Sequence, residues 1–305
     1  MTDGLLVVDK PAGWTSHQVV GRLRRILGTR KVGHAGTLDP MATGVLLVGA
    51  GRATRLLGHL ALTDKSYSAT IRLGQATVTD DADGEIVAAD GAAGVSVEQV
   101  EAAMASYRGT ITQVPSAVSA IKVDGRRAYA RVRAGEQVEL AGREVTVSRF
   151  ELIRTQRPGV FGWQDGEPSA TDVLDVEVEV DCSSGTYIRA LARDLGRDLG
   201  TGGHLTRLRR TRVGPFTFSD PYLSPNGLEA DPGSRVPLLG LAEVARRCFP
   251  VVELDAGEAA DVRHGRPLNR TVPGPVAAVL AEGELLALYR PQDERAVPVA
   301  VLVGS

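Results

Sequence analysis

Residues 174–200 read LDVEVEVDCSSGTYIRALARDLGRDLG, and they settle the fold class. From Leu174 to Cys182 the chain alternates: Leu174, Val176, Val178, Val180 and Cys182 fall on one side, Asp175, Glu177, Glu179 and Asp181 on the other. A period of two predicts a strand with one buried and one wet face. Ser183, Ser184 and Gly185 supply a turn, and there the period changes. Ile188, Leu191, Ala192, Leu195 and Leu199 share one stripe of a helix that ends near Gly200. Half-wet strands interspersed with helices favour an α+β fold with a mixed, largely antiparallel sheet over a doubly wound parallel one.

The same grammar extends outward. Residues 65–73 alternate with Tyr67, Ala69, Ile71 and Leu73 on one side. Near the start, the apolar run LLVVDK predicts a strand and KPAGW a turn. A helix follows in which Val19, Val20, Leu23, Ile26 and Leu27 form a stripe, Ser16 is the expected cap and Gly28 the left-handed terminator. Residues 219–236, rich in Pro, Gly, Asp and Ser, read as a linker, with a short helix at 238–248 behind it. From Phe249 the texture becomes short apolar runs broken by turns, as in a small β-rich appendage. The division expected is 1–235 and 249–305.

With 305 residues, 43% hydrophobic and 24% charged, the chain has the balance of a soluble globular protein. Two cysteines, Cys182 and Cys248, offer neither a disulfide framework nor a cysteine-rich zinc site. No secretory leader and no apolar run of membrane-spanning length is read, so a cytoplasmic, membrane-free setting is expected. Net charge is −2, yet the charges are segregated. Residues 10–60 hold eight bases against one acid, whereas 80–101 hold seven acids and no base. Residues 121–133 carry five bases and one acid, and 186–215 seven bases and two acids. If folding gathers the three basic stretches, the resulting face suits a phosphate backbone and predicts salt-dependent binding; solvated surface charge is the alternative.

The one acid of residues 10–60 sits in GHAGTLDPMATGVL, residues 33–46. Pro40 biases Asp39 toward an extended backbone, and Gly33, Gly36 and Gly44 allow tight turns and close approach of a ligand. Asp39 is therefore either a carboxylate presented on a rigid loop among arginines or an ordinary Asp-Pro turn. GxxxxGK[ST], HExxH, GxSxG, CxxC and a strand-linked GxGxxG are all missing, which removes the usual support for nucleotide hydrolysis, zinc or serine hydrolysis and dinucleotide redox chemistry. What remains is a lone carboxylate that needs no cofactor and no metal.

GHAGTLDPMATGVL resembles the catalytic motif of the TruB family of tRNA pseudouridine synthases. The resemblance continues in register through KSYSATIRLGQATVTDDADGEI, VPSAVSAIKVDGRRAY, CSSGTYIRALARDLG and HLTRLRRTRVG, over roughly residues 4–214. It implies the pseudouridine synthase fold, a tRNA-gripping insertion at about 116–133 and, more loosely, a PUA-like C-terminal domain. It also implies an activity: isomerisation of uridine 55 in the T-loop of tRNA, in which the N1–C1′ bond breaks, the uracil turns and C5 joins C1′. The implied partner is the tRNA T-arm, and the protein is expected to be a monomer.

By the same resemblance Asp39 is the covalent nucleophile on a flipped-out uridine. Arg189 pairs with it, and Tyr67 stacks on the base and is the candidate for taking the C5 proton. Read from residues alone, Arg189 lies at the border of the buried stripe, able to reach a site without lying in the core, and a surface salt bridge is the other reading. Tyr67 could equally be a core tyrosine. His34 corresponds to the histidine that fills space left by flipped bases. Tyr187 and Leu208 correspond to residues lining the uridine pocket, although Leu208 also fits a core position. Lys122, Arg126, Arg127, Arg207, Arg209, Arg210 and Arg212 are candidates for contacts to the RNA backbone, which would position rather than specify. Lys10 suits either a phosphate contact or a structural role. Two rival functions stay open: an RNA-binding folding factor without chemistry, and a pseudouridine synthase for another RNA.

Overall fold

The computed structural model describes residues 3–116, 122–123, 126–127, 141–164 and 167–303, without side chains at 122–123, 126–127 and 160–170. The chain forms two compact units: one from residues 1–39, 44–61 and 212–305, the other from 40–43 and 62–211.

The first unit opens with β1 (Gly4–Lys10) and α1 (Ser16–Ile26), followed by β2 (Val32–Ala35), β3 (Thr43–Ala50) and the single turn α2 (Leu57–Leu60). β1 pairs antiparallel with β3 from Gly4↔Ala50 to Lys10↔Gly44, and β2 pairs antiparallel with β3 from Val32↔Ala50 to Ala35↔Leu47. The cap of α1 is Thr15, not the expected Ser16. Thr15 and Gln18 form a reciprocal capping box, whereas Ser16 is buried at the first helical position. Gly28 ends the helix in the left-handed region, at φ 63°.

The second unit runs from β4 (Lys65–Leu73) through the small hairpin β5 (Ala76–Thr77) and β6 (Ile86–Ala88), α3 (Val97–Ala105) and β7 (Gly109–Gln113). Then come β8 (Lys122–Val123) and β9 (Arg126–Arg127), β10 (Arg143–Gln156), β11 (Gly159–Gln164), β12 (Glu167–Asp172) and β13 (Leu174–Cys182). Helix α4 (Ile188–Asp198) and β14 (Gly203–Val213) complete it. The sheet order here is β14-β4-β13-β10-β7. β13 lies antiparallel to β4, with Leu174 opposite Leu73 and Cys182 opposite Lys65. The alternation of 174–182 is reproduced residue by residue: the apolar set is buried and the acids are half exposed. Of the expected insertion, β8 and β9 pair as an antiparallel ladder with Lys122 opposite Arg127. Residues 117–121, 124–125 and 128–140 lie outside the described residues.

The chain then returns to the first unit with β15 (Tyr222–Leu223), α5 (Leu241–Cys248), β16 (Val251–Glu253), α6 (Ala256–Arg263), β17 (Ala277–Ala281), β18 (Glu284–Gln292) and β19 (Arg295–Val301). Antiparallel pairings dominate, while β1–β15 and β16–β17 run parallel, so the sheets are mixed as expected. The stretch 219–236 is not a loose linker. Val7 and Val8 of β1 pair with Tyr222 and Leu223, Leu228 is buried, and the guanidinium of Arg22 donates to the carbonyls of Leu228, Glu229 and Ala230.

Among the described residues, two apolar clusters of this unit involve its C-terminal part. One joins Leu5, Val7, Val45 and Leu47 to Ala278, Leu280, Leu285, Leu288 and Leu302. The other, with Val252, Val262, Val279, Leu286 and Tyr289 among its members, draws only on residues beyond 251. β17 thus offers Ala278 and Leu280 to one core and Ala277, Val279 and Ala281 to the other, which is why its sequence is apolar without alternation.

Candidate active site

Asp39 is half-buried at the end of a loop that is gripped on its N-terminal side. The Ser16 hydroxyl accepts from Leu38 N at 2.9 Å and donates to Leu38 O at 3.2 Å, and the Leu38 side chain is itself buried. Gly36 at φ 71° and Gly44 at φ 103° take backbone conformations that other residues rarely adopt, and between them Ala42 is fully buried. The loop is therefore fixed on both sides of the carboxylate. His34, half-buried on β2, meets the exposed His17 of α1 edge to face, ring centroids 5.3 Å apart.

In the second unit Tyr67 is 8% exposed on β4, opposite Val180 of β13. Tyr187 immediately precedes α4 and its backbone is clamped by the buried Gln113. The amide of Gln113 accepts from Tyr187 N at 2.7 Å and donates to Tyr187 O at 3.0 Å. The Arg143 guanidinium lies 4.6 Å above the Tyr187 ring, where the cation meets the electron-rich face, and it also donates to Gly185 O. The backbone of Tyr187 is thus held by Gln113 and its half-buried ring is covered by a cation.

Arg189 lies deeper than expected. It is 4% exposed, and α4 is buried around most of its circumference rather than along a stripe, so the arginine sits in the interior and not at its border. A buried guanidinium needs a counter-charge and acceptors. Its Nε lies 3.5 Å from Asp81 Oδ2 and its Nη1 donates to Thr79 O at 2.8 Å. Asp81 is in turn held by the Thr79 hydroxyl at 2.5 Å and the Asp83 amide at 3.1 Å. Next to it, Asp80 bridges to Arg193 at 3.5 Å, and burial raises its pKa against the lowering pull of Ser116, Arg193 and Arg189. Sequence reasoning counted Asp80 and Asp81 only within an acidic surplus. The signal available was their position inside TVTDDADGEI, a segment that carries the family resemblance.

β14 splits its basic candidates by the strand period. Arg207 is exposed and reaches the hydroxyl of Ser68, next to Tyr67, at 3.5 Å. Arg209 is half-buried and donates to the Thr43 hydroxyl at 3.4 Å, four residues along the chain from Asp39. On the other face Leu208 is 6% and Arg210 1% exposed, so Arg210 is an interior cation rather than one at the surface. Its neighbour Lys65 is also buried, donating to Thr63 O at 2.6 Å, and burial pulls the Lys65 pKa down to about 8. Arg212 donates to Gly214 O at 3.1 Å. Lys10 is fully buried with its ammonium on the carbonyls of Pro11 and Trp14, so it ties a turn. Lys122, Arg126 and Arg127 sit on the β8–β9 ladder.

Among the described residues no cluster of three His, Cys, Asp or Glu could hold a metal ion, and no helix is long and apolar enough to cross a membrane. Each unit thus positions its own candidate groups: the Asp39 carboxylate in the first, the Arg189 guanidinium and the Tyr67 and Tyr187 rings in the second.

Comparison with known proteins identifies the family. The N-terminal domain of TruB family pseudouridylate synthases matches residues 24–188, the tRNA pseudouridylate synthase B C-terminal domain matches 189–224, and the C-terminal domain of tRNA pseudouridine synthase II matches 249–303. The tRNA pseudouridine synthase B of Cutibacterium acnes is 58% identical over 97% of this chain and 95% of its own length. That of Thermobifida fusca is 52% identical over the whole of both chains. Among solved structures, a Cbf5–Nop10–Gar1 complex contains a chain with TM-score 0.68 and 25% identity, covering 98% of this chain and 83% of that one. Motifs in register, a matching architecture and near-full-length similarity lead to one family, and the chain belongs to the TruB pseudouridylate synthases.

Proposed function

We propose that this protein converts uridine 55 in the T-loop of tRNA to pseudouridine, with Asp39 as the nucleophile. The observation that carries the proposal is the Asp39 loop itself: the one acid of a basic stretch, fixed by Ser16 before it and by a buried Ala42 after it. Relatives at 51–58% identity bear the name tRNA pseudouridine synthase B, which favours tRNA as the substrate.

In the proposed reaction the target uridine is flipped out of the folded loop. The Asp39 carboxylate forms a covalent bond to the nucleotide and later leaves, and the N1–C1′ bond breaks in between. The uracil turns, C5 bonds to C1′, the C5 proton departs and N1 gains one, so substrate and product are isomers and no cofactor or metal enters. Tyr67 stacks on the uracil and its phenol oxygen takes the C5 proton, passing its own to solvent. Arg189, fixed by Asp81, supplies the fork that orients Asp39. Tyr187 and Leu208 line the pocket, and His34 fills the space the base vacates. Lys122, Arg126, Arg127, Arg207 and Arg209 contact phosphates, whereas Arg210, buried as it is, acts by holding β14 in place. The proposal includes a monomer working in the cytoplasm and a division into catalytic residues 1–235 and a C-terminal domain at 249–305. A core built only from residues beyond 251 supports a C-terminal domain, and the second core, shared with β1 and β3, makes it an integral part of its unit rather than a detachable one.

Release of tritium from tRNA labelled at uridine C5 reports the reaction directly. Asp39→Asn is expected to lower release by at least ~10³-fold while tRNA binding persists. Undiminished release would remove Asp39 from its role, and pseudouridine mapped to a position other than 55 would reassign the substrate.

A further inference from the structure

We propose that a groove on the outer face of α1 binds an unpaired nucleotide of the RNA substrate outside the T-arm, a second contact remote from the reacting uridine. The inference rests on the reading of the chain as a tRNA-modifying enzyme. The groove has a volume of about 350 Å³ and is lined by Trp14, Gln18, Gly21, Arg22 and Arg25. Gln18, Gly21, Arg22 and Arg25 follow one another at i, i+3, i+4 and i+7, one face of the helix. Ser16, Val19, Val20, Leu23 and Ile26 occupy the buried face, from which Ser16 grips Leu38. The two faces look in opposite directions, so whatever fills the groove is not the base that meets Asp39.

The groove is assembled from parts suited to a nucleotide. The backbone of Trp14 is fixed, because its carbonyl accepts from the buried Lys10 ammonium at 2.6 Å and the turn before it uses Gly13 at φ 78°, and from there its side chain lines the groove. The floor is Gly21, in mid-helix, where an added Cβ would meet nothing within 4 Å. Packing does not call for glycine there, and glycine weakens a helix relative to larger residues, so its effect is to keep the floor open. The Arg22 guanidinium is turned away onto the carbonyls of Leu228, Glu229 and Ala230, which leaves its carbon stem along the groove, while Arg25 is exposed at the rim. An aromatic wall, a carbon floor and a cation at the edge form the combination that holds single-stranded nucleic acid by stacking plus a phosphate contact. Charge selects the occupant: four bases of residues 10–38, Arg24, Arg25, Arg30 and Lys31, are exposed and the stretch has no acid, which suits a polyanion.

The test measures Kd for full-length tRNA and for a T-arm hairpin, with tritium release by the wild-type protein recorded beside it. Trp14→Leu keeps apolar bulk against the helix and removes the stacking face. Gly21→Leu fills the floor with a better helix former. Each is expected to raise the Kd for full-length tRNA relative to that for the hairpin by about tenfold. Arg25→Gln is expected to reduce the slope of log Kd against log salt on full-length tRNA by about one. Gly21→Leu should melt at or above the wild-type temperature, so its loss of binding cannot be laid to unfolding. A Kd ratio unmoved by both Trp14→Leu and Gly21→Leu overturns the proposal, whether the RNAs are unaffected, as a protein-binding groove would leave them, or weakened equally. Absence of tritium release by the wild-type protein would instead sink the functional reading, and the Kd ratio would still decide the groove.

Discussion

Lys65 begins β4 with its ammonium buried beside Arg210 and opposite Cys182, and burial first of all, then the Arg210 charge, lowers its pKa from 10.5 to about 8. Between those two values the unfolded chain holds a proton that the folded chain has shed, so folding becomes more favourable as pH rises. Cys182 and Cys248 act in the opposite sense. Burial raises both thiols from 9.0 to about 11, and in that window the folded chain keeps protons that the unfolded chain has lost. Stability against urea should therefore climb from pH 8 to 9 and turn down beyond it, and Lys65→Met should abolish the climb. Equal slopes for wild type and Lys65→Met between pH 8 and 9 would contradict this assignment. The charge count along the sequence could not foresee it, because Lys10 and Arg210 count as basic surface when in fact they are interior groups. Asp81 is hidden for the same reason: a running tally of acids does not register burial, and the Arg189 guanidinium, the Thr79 hydroxyl and the Asp83 amide together explain why that carboxylate is inside.

Helix α4 shows how much of an element can be read beforehand. Its apolar residues and its end near Gly200 follow from period and terminator, and Gly200 does take φ 70° just past the last turn. Its partner could not be read. A Cβ on Gly196 would stand 2.2 Å from Gly202 C and 2.3 Å from Gly203 N, and one on Gly203 would stand 2.4 Å from Ala192 O. The helix therefore lies backbone against backbone on the turn that leads into β14, with no room for a methyl group. Gly196→Ala should cost about 3 kcal/mol in urea unfolding despite the better helix propensity of alanine. Because α4 carries Arg189 in its first turn, displacement should also lower tritium release from tRNA. A variant as stable as wild type would show that the contact yields. Helix α1 errs in a different direction. Thr15-x-x-Gln18 satisfies the capping-box pattern and Ser16 does not, so the cap is legible in the sequence once the residue three positions on is weighed. What no local pattern conveys is that the freed Ser16 hydroxyl serves Leu38, twenty-two residues on.

Across the whole chain, a composition rich in Pro, Gly, Asp and Ser marks turns at 219–236, and a run of turns reads as a linker. The inference fails because turns can be packed: Tyr222 and Leu223 extend the sheet beside β1, and Arg22 fastens the following carbonyls. The consequence reaches the C-terminal residues. Removing everything after residue 248 would strip Ala278, Leu280, Leu285, Leu288 and Leu302 from the core they share with Leu5, Val7, Val45 and Leu47. Each large aliphatic side chain so lost forfeits about 1.5–3 kcal/mol of burial, and the summed loss exceeds or rivals the whole stability of an ordinary domain. A fragment ending at residue 248 should therefore be recovered as aggregate, or melt far below the full chain, with β1 and β3 exposed as apolar strands. It should not behave as a trimmed enzyme that has merely lost an RNA contact. A soluble 1–248 fragment with the melting temperature of the intact protein would mean that the shared core contributes little, and that the residues beyond 248 are an appendage in energy as well as in sequence texture.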